Sequence, residues 1–334
     1  MRIVVTGGAG FIGYNLIHKL FEQQHHVIAF DDLSAGEPSR RRDKLLNKLA
    51  KETYKDQNAG YRDLVLNHDI ETPNLLNSTL NMTEQFDAIV HLAAPISVPQ
   101  SYEQPRAYID QIVDGTTEVL EVARQRKIKK VIFASSAAVY GDVTRRPTRE
   151  SDLDHMIPTS PYGVVKRAAE DMARTYAKAH DLETVIFRFF NVYGPEQDPT
   201  NQYAGVVGKF LEAVRQGKSP TILGAGTQTR DFVYVGDVTD AIVAALTKTV
   251  KPGTTLNIAS GRATSINDLA KESIAVNGKK SLQPKYEDAR PGEIEHSLAD
   301  ISAAREALKW SPKTSLKEGL AKTYAWLKSS GSAP

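Results

Sequence analysis

The chain of 334 residues is long for one compact core and implies two lobes or one elaborated domain. Its formal net charge of +2 gives no broad electrostatic footprint for nucleic acid, and with no cysteine it can have no disulfide, thiolate nucleophile or cysteine-held metal. No apolar run approaches the ~18 to 20 residues of a membrane span, and the opening RIVV leads at once into glycines, unlike a signal peptide; a cytoplasmic enzyme or binding protein is the expectation.

Strands and helices alternate along the chain without internal repeat. RIVVT (2–6) reads as a short buried strand, followed by HHVIAF (25–30), FDAIVHLAA (86–94), KKVIFASS (129–136) and ETVIFRFF (183–190). Helical patterns lie between them at 15–24, 103–126 and 161–180. The dense basic run SRRRDK (39–44) reads as a solvated helix start, and 44–55 as an exposed helix without catalytic meaning. Apolar, β-branched strands interleaved with helices predict a parallel sheet covered on both faces, the doubly wound α/β architecture. After Phe190 the polar, glycine-rich stretches GPEQDPTNQYAG, GAGTQTRD and DARPGE predict a smaller second lobe, and the tail KSSGSAP predicts disorder. The eight histidines show no metal-ligand spacing, so no metal is expected.

The first chemical motif is VVTGGAGFIG (4–13), with Gly7, Gly10 and Gly13 directly after the first strand and Phe11 and Ile12 opening a helix. A tight turn, close approach of backbone to a pyrophosphate, and N–H groups at a positive helix terminus are what such a dinucleotide site requires.

The GxxGxxG spacing resembles the extended branch of the short-chain dehydrogenase/reductase superfamily, and the resemblance runs through most of the chain. It implies a doubly wound parallel Rossmann-type sheet over 1–188 and 228–260, a smaller α/β substrate-binding lobe over 189–227 and 261–329, and a disordered tail at 330–334. Asp31, 18 residues past Gly13 at the end of the second strand, would accept hydrogen bonds from the adenosine ribose. A carboxylate there repels a 2′-phosphate, so the cofactor is expected to be NAD rather than NADP; Arg40 to Arg42 lie well beyond the strand end. Asp69 and Ile70 in NHDI resemble the adenine-side pair of the family. HLAA resembles its fourth-strand loop, where Ala93 leaves room for the cofactor and His91 is a structural strand residue.

FASSAAVYG resembles the family's hydroxyl-bearing segment, and by register Ser136 is the catalytic hydroxyl. In SPYGVVKRAAED, Ser160 and Pro161 suit a helix N-terminus, and Tyr162 and Lys166 then share one helical face. The resemblance implies a Ser136, Tyr162 and Lys166 triad, with Tyr162 and Lys166 also facing the cofactor. A free phenol of pKa about 10 is a poor base at neutral pH; a nearby ammonium and the positive nicotinamide ring would lower it.

RFFNVYGP resembles the nucleotide-sugar epimerases and dehydratases, which makes Asn191 a diphosphate contact. Arg230 in TRDFVYVGDV, with Arg290 and Glu293 in ARPGE, suits the diphosphate bridge and nucleotide ribose, because guanidinium offers a planar fork of donors. Gly205 and Val206 are expected to contact the nucleobase through backbone, and Ser136 to contact the sugar.

The dTDP-sugar dehydratases carry an acidic pair after the catalytic hydroxyl residue, and UDP-glucuronate decarboxylases a Glu two residues after it. Here those positions are Ala137 and Ala138. The bare SSAAVYG resembles the UDP-sugar 4-epimerases, which implies oxidation at the sugar C4, a turn of the keto sugar, and return of hydride to its opposite face. In that family a bulky aromatic residue a few positions after the RxG motif restricts the C2 substituent; by this resemblance Ser297, a small residue there, implies UDP-GlcNAc/UDP-GalNAc as well as UDP-Glc/UDP-Gal. Departures are Asp32 where many relatives have Asn, and Pro95 where a polar residue is common. A UDP-uronic acid epimerase or decarboxylase, another nucleotide-sugar dehydratase or reductase, and a non-catalytic NAD-binding regulator are the alternatives. The helices at 103–126 and 161–180 resemble the pair that forms a homodimer in this family.

Overall fold

The structure, a computed structural model, describes residues 1–53, 65–67, 75–80, 85–143, 145–199, 205–278, 282–289 and 294–330. Asp69, Ile70, Arg290 and Glu293 lie outside them. The strands are β1 (Arg2–Thr6), β2 (His26–Asp31), β3 (Val65–Asn67), β4 (Ala88–His91), β5 (Lys130–Ser136), β6 (Glu183–Phe189), β7 (Asn191–Tyr193), β8 (Thr221–Leu223), β9 (Thr229–Tyr234), β10 (Thr254–Ile258), β11 (Ala263–Ser265) and β12 (Lys285–Glu287). The helices are α1 (Phe11–Glu22), α2 (Glu37–Thr53), α3 (Leu75–Thr79), α4 (Val98–Glu103), α5 (Pro105–Ile109), α6 (Gly115–Gln125), α7 (Pro161–His180), α8 (Val206–Arg215), α9 (Val235–Thr247), α10 (Ile266–Ala275), α11 (Ser302–Leu308) and α12 (Leu316–Ser330).

Two compact units form: Met1–Gly141 with Ile157–Arg188 and Ala241–Leu256, and Asp142–Met156 with Phe189–Asp240 and Asn257–Pro334. The first is built on a seven-stranded sheet of order β10-β6-β5-β4-β1-β2-β3, in which β1 runs parallel to β2 and β4, β2 to β3, and β4 to β5. This is the doubly wound α/β fold expected from the sequence. The order reverses between β1 and β4, so the connections leave the carboxyl ends of those two strands in opposite directions, the place where ligands bind in open sheets of this kind. Helices cover both faces, so Ile3, Val4 and Val5 are all fully buried and no polar/apolar alternation is seen in β1.

Helix α7 starts where its sequence says it should: Ser160 Oγ accepts from Gly163 N–H at 3.1 Å, and Pro161 fills the first turn, where its missing N–H costs nothing. Ala169 and Ala173 bury its apolar face in a core shared with Val119 and Leu120 of α6. The single helix expected over 103–126 is instead α5, a π turn at Asp110–Asp114 and α6, preceded by the separate α4. Pro105 causes the first break, because it pushes Gln104 out of the α region, to φ −131° and ψ 54°.

The basic run 39–44 is not simply solvated. Arg42 is only 4% exposed, and its Nε donates to the carbonyl of Ala9 at 2.6 Å. Ser39 is buried too, bonding back to the carbonyls of Gly36 and Leu33. Further along α2, Leu46 and Ala50 are buried while Lys44, Lys48 and Lys51 are exposed, so the helix is amphipathic rather than wholly exposed.

The second unit holds a three-stranded sheet of order β11-β9-β7 and a parallel pair, β12 with β8. Its core comes from one face each of α8, α10 and α12, with Val207, Phe210, Leu269, Ile274 and Leu320 at the centre. Residues 328–330, expected in a disordered tail, complete α12: Leu327 buries against that core and Ser329 Oγ donates to the Trp326 carbonyl. The remainder of that tail, 331–334, lies outside the described residues. No described helix is long and apolar enough to cross a membrane.

Candidate active site

The turn between β1 and α1 leaves no room for a side chain at Gly7 or Gly13. Gly7 has φ +71°, and a Cβ there would meet Ala93 N at 2.7 Å, so the turn and the HLAA loop are in close contact. A Cβ on Gly13 would meet the Gly7 carbonyl oxygen at 2.1 Å. Gly10 is the N-cap of α1, and no side chain caps that helix. The backbone N–H groups of Phe11, Ile12 and Gly13 are therefore at a positive helix end of the kind that takes a phosphate.

Asp31 closes β2 beside this turn. Its Oδ2 accepts from Ala9 N–H at 3.0 Å and its Oδ1 from Leu33 N–H at 2.9 Å, and a carboxylate keeps further lone pairs for ribose hydroxyls. Burial pushes its carboxyl up, with the Leu33 N–H pulling the other way. The residues present thus fit the dinucleotide: a glycine-rich turn, an uncapped helix start and a carboxylate at the second strand end.

Ser136, Tyr162 and Lys166 are brought together in the same unit. Ser136 ends β5; Tyr162 and Lys166 are both buried on α7. Lys166 Nζ donates to the Ala134 carbonyl at 2.9 Å and lies 5.1 Å from the centre of the Phe133 ring and 6.0 Å from that of Tyr162. Burial pushes the Tyr162 phenol up to about 12, against a hydrogen bond with Ser136 that favours phenolate. Burial likewise brings Lys166 down to about 7, opposed by the negative charge of Glu170. The resting couple is thus a protonated phenol beside a readily deprotonated amine, and added positive charge nearby favours the phenolate.

His91 is the structural residue that the sequence suggested. Its Nδ1 is 2.7 Å from Thr6 Oγ1, its Nε2 is 3.2 Å from Thr116 Oγ1, and burial brings its pKa down to about 3.

Several supporting residues were missed. Tyr162 donates its backbone N–H to Ser101 Oγ at 3.2 Å, and Tyr108 meets its ring edge-on at 6.2 Å between centres. Nothing in sequence spacing marks these long-range contacts. Glu170, four residues after Lys166, was legible as a helical neighbour but was not singled out.

In the second unit, Asn191 opens β7 and pairs with Phe232 of β9, two residues from Arg230. Arg230 Nη1 donates to the carbonyls of Thr229 at 2.9 Å and Glu295 at 3.4 Å, while Ser297 N–H donates to the Thr229 carbonyl at 3.0 Å. Arg230 and Ser297 are thus neighbours across one backbone ladder. Gly205 is the N-cap of α8 and Val206 its first residue.

Residues 3–259 match the NAD dependent epimerase/dehydratase family. The solved UDP-glucose 4-epimerase of Thermotoga maritima with UDP-glucose is 34% identical, with 99% of each chain covered and a TM-score of 0.87. The UDP-N-acetylglucosamine 4-epimerase of Methanobrevibacter ruminantium, in complex with UDP-N-acetylmuramic acid, is 32% identical over 98% of each chain, with a TM-score of 0.85. A UDP-N-acetyl-alpha-D-glucosaminuronate decarboxylase of Bacillus cytotoxicus is 31% identical over 98% of this chain and 98% of its own length. The chain belongs to the NAD-dependent epimerase/dehydratase family.

Proposed function

We propose that the chain is an NAD-dependent UDP-hexose 4-epimerase, acting on UDP-Glc/UDP-Gal and, through the small side chain of Ser297, on UDP-GlcNAc/UDP-GalNAc. The observation that carries this reading is the turn after β5. Ser136 is followed by the methyl groups of Ala137 and Ala138, which offer no acid or base for elimination or decarboxylation, while Tyr162 and Lys166 supply proton transfer at one hydroxyl. NAD, held by the glycine turn and Asp31, would supply hydride acceptance from the sugar C4 and its return.

The glycine turn, with Gly7, Gly10, Phe11, Ile12 and Gly13, binds the pyrophosphate by backbone N–H groups; Asp31 holds the adenosine ribose and Ala93 leaves space beside it. Tyr162 Oη receives the proton of the sugar 4-hydroxyl and later returns it. Ser136 Oγ hydrogen-bonds the same hydroxyl, and the Lys166 ammonium stabilises the phenolate. Asn191, Arg230, Gly205 and Val206 hold the UDP portion. The same reading takes the chain as a homodimer, whose contact would cover the exposed apolar side chains of Ile109 and Val164 on α5 and α7.

Incubation with UDP-Glc, UDP-GlcNAc and UDP-GlcA without added NAD, followed by NMR of the anomeric and C4 protons, tests the proposal. A galacto-configured product of unchanged mass is expected. Carbon dioxide release, as from the decarboxylase relative, or an accumulating keto sugar, would instead move the chain to another branch of the family.

A further inference from the structure

Behind the triad lies a buried charged cluster to which the proposed chemistry gives no role. Glu170 is fully buried on α7, one turn after Lys166, and its carboxylate accepts from three side chains. Ser135 Oγ donates to Oε1 at 2.5 Å, Arg188 donates from Nε at 2.9 Å and from Nη2 at 2.7 Å, and Arg174 Nη1 donates at 3.1 Å. Arg188, from β6, is 1% exposed; its Nη1 donates to Tyr140 Oη at 2.9 Å and its guanidinium lies 4.8 Å from the centre of the Tyr140 ring.

These partners bracket Ser136. Ser135 directly precedes it, and Tyr140 closes the short 3-10 turn that follows it. Arg174 keeps a second carboxylate, Asp171 at 2.7 Å, and needs Glu170 least. A well-packed apolar cluster of similar volume is often as stable as a buried ion pair, so stability alone does not explain charge at this depth.

The groups facing Lys166 can be named from every element around it. On β5 they are the Ala134 carbonyl and the Phe133 ring; on β4, His91, which burial and then Lys166 keep neutral; on α7, Tyr162 and Glu170. Among these groups Glu170 is the carboxylate.

We propose that Glu170 is a positioning residue of the reaction: clamped by Arg188, it locks the Ser135–Ser136 end of β5 to α7 and supplies negative charge that favours the ammonium form of Lys166 beside Tyr162. This rests on the reading of Ser136, Tyr162 and Lys166 as the reacting set.

The test is the pH profile of sugar epimerisation. Lys166 must be protonated to act, so the rate falls as pH rises through its pKa, and loss of the Glu170 charge moves that limb to lower pH. Glu170→Gln alone leaves Arg188 buried without its carboxylate and risks the fold. The double variant Glu170→Met/Arg188→Met removes both charges and keeps the volume. Its thermal unfolding is expected near wild type, its high-pH limb moved to lower pH because Glu170 is the charge that raises Lys166, and its kcat reduced at little-changed KM, because neither residue touches substrate. Ser135→Ala, which keeps both charges, is expected to lower kcat without moving the limb.

A double variant that folds and keeps the wild-type limb and kcat would make the cluster merely structural and overturn the proposal; so would wild-type kcat in Ser135→Ala, for the β5 clamp. Tyr162→Phe separates the two levels. Turnover retained in Tyr162→Phe removes the reacting set itself, whereas its loss, beside a wild-type double variant, removes only the role of Glu170.

Discussion

Lys166 Nζ lies 6.0 Å from the centre of the Tyr162 ring, one helical turn away on the buried face of α7. Both groups are carried out of their ordinary ranges by burial, and in opposite directions. Folding lowers Lys166 from 10.5 to about 7, so between those values the unfolded chain binds a proton that the native chain does not. Stability therefore rises with pH across that window, while Tyr162, raised from 10.0 to about 12, begins to subtract from it only above it. Denaturant titrations without nucleotide should show the stability of wild type, minus that of Lys166→Met, increasing from pH 7 to pH 10; a constant difference would contradict the assignment. Tyr162→Phe should cost roughly 10²-fold or more in turnover with the fold intact.

Gly13→Ala should damage the dinucleotide site without touching the reacting residues. The new methyl would stand 2.1 Å from the Gly7 carbonyl oxygen, a backbone atom that cannot swing aside. A loss of about 1–3 kcal/mol in stability is expected from such overpacking. Calorimetric titration with NAD should show affinity weakened by roughly tenfold or more; unchanged affinity would mean that the turn is not where the pyrophosphate binds.

His91 should stay neutral until strongly acid pH. Its folded pKa is lowered from 6.5 to about 3, first by burial and then by Lys166, so the stability it supports is present above pH 6.5 and is lost as pH falls towards 3. Side-chain NMR should find no titration of this ring between pH 5 and 8. Between pH 7 and pH 4.5, wild type should lose more stability than His91→Gln, and equal losses would show that the ring is not the titrating group.

Ser297 offers the direct test of sugar choice. Its backbone is fixed by the Thr229 carbonyl, so a larger side chain at this position alters the space around it rather than the strand. Ser297→Tyr should lose turnover of the N-acetylated pair at least tenfold more than that of UDP-Glc/UDP-Gal. Parallel losses on both pairs would place the restriction elsewhere.

The sheet was legible because β1, β2, β4, β5 and β6 are buried apolar runs, and the start of α7 because Ser160 and Pro161 announce it. Arg42 was misread because a charge run says nothing of which member turns inward; only the approach of α2 to the Ala9 carbonyl decides that. The break at Pro105 could have been read from the proline alone, but the π turn that follows it carries no composition signal. Ser101 and Tyr108 reach Tyr162 from 61 and 54 residues away, 162 less 101 and 162 less 108, so no local pattern could pair them. Glu170 shows an intermediate case: its spacing from Lys166 is local, whereas its clamp by Arg188 depends on β6 lying beside β5.

Ala9, at the crest of the glycine turn, is gripped from both sides: its N–H by Asp31 and its carbonyl by Arg42. A loop braced in this way has little conformational entropy left to lose when a dinucleotide arrives. A tighter hold on NAD would then be expressed chiefly as a slower departure rate. For the proposed epimerisation, which would restore its cofactor in every cycle, long residence carries no penalty, and one NAD molecule would serve successive sugars without exchange with the surrounding pool.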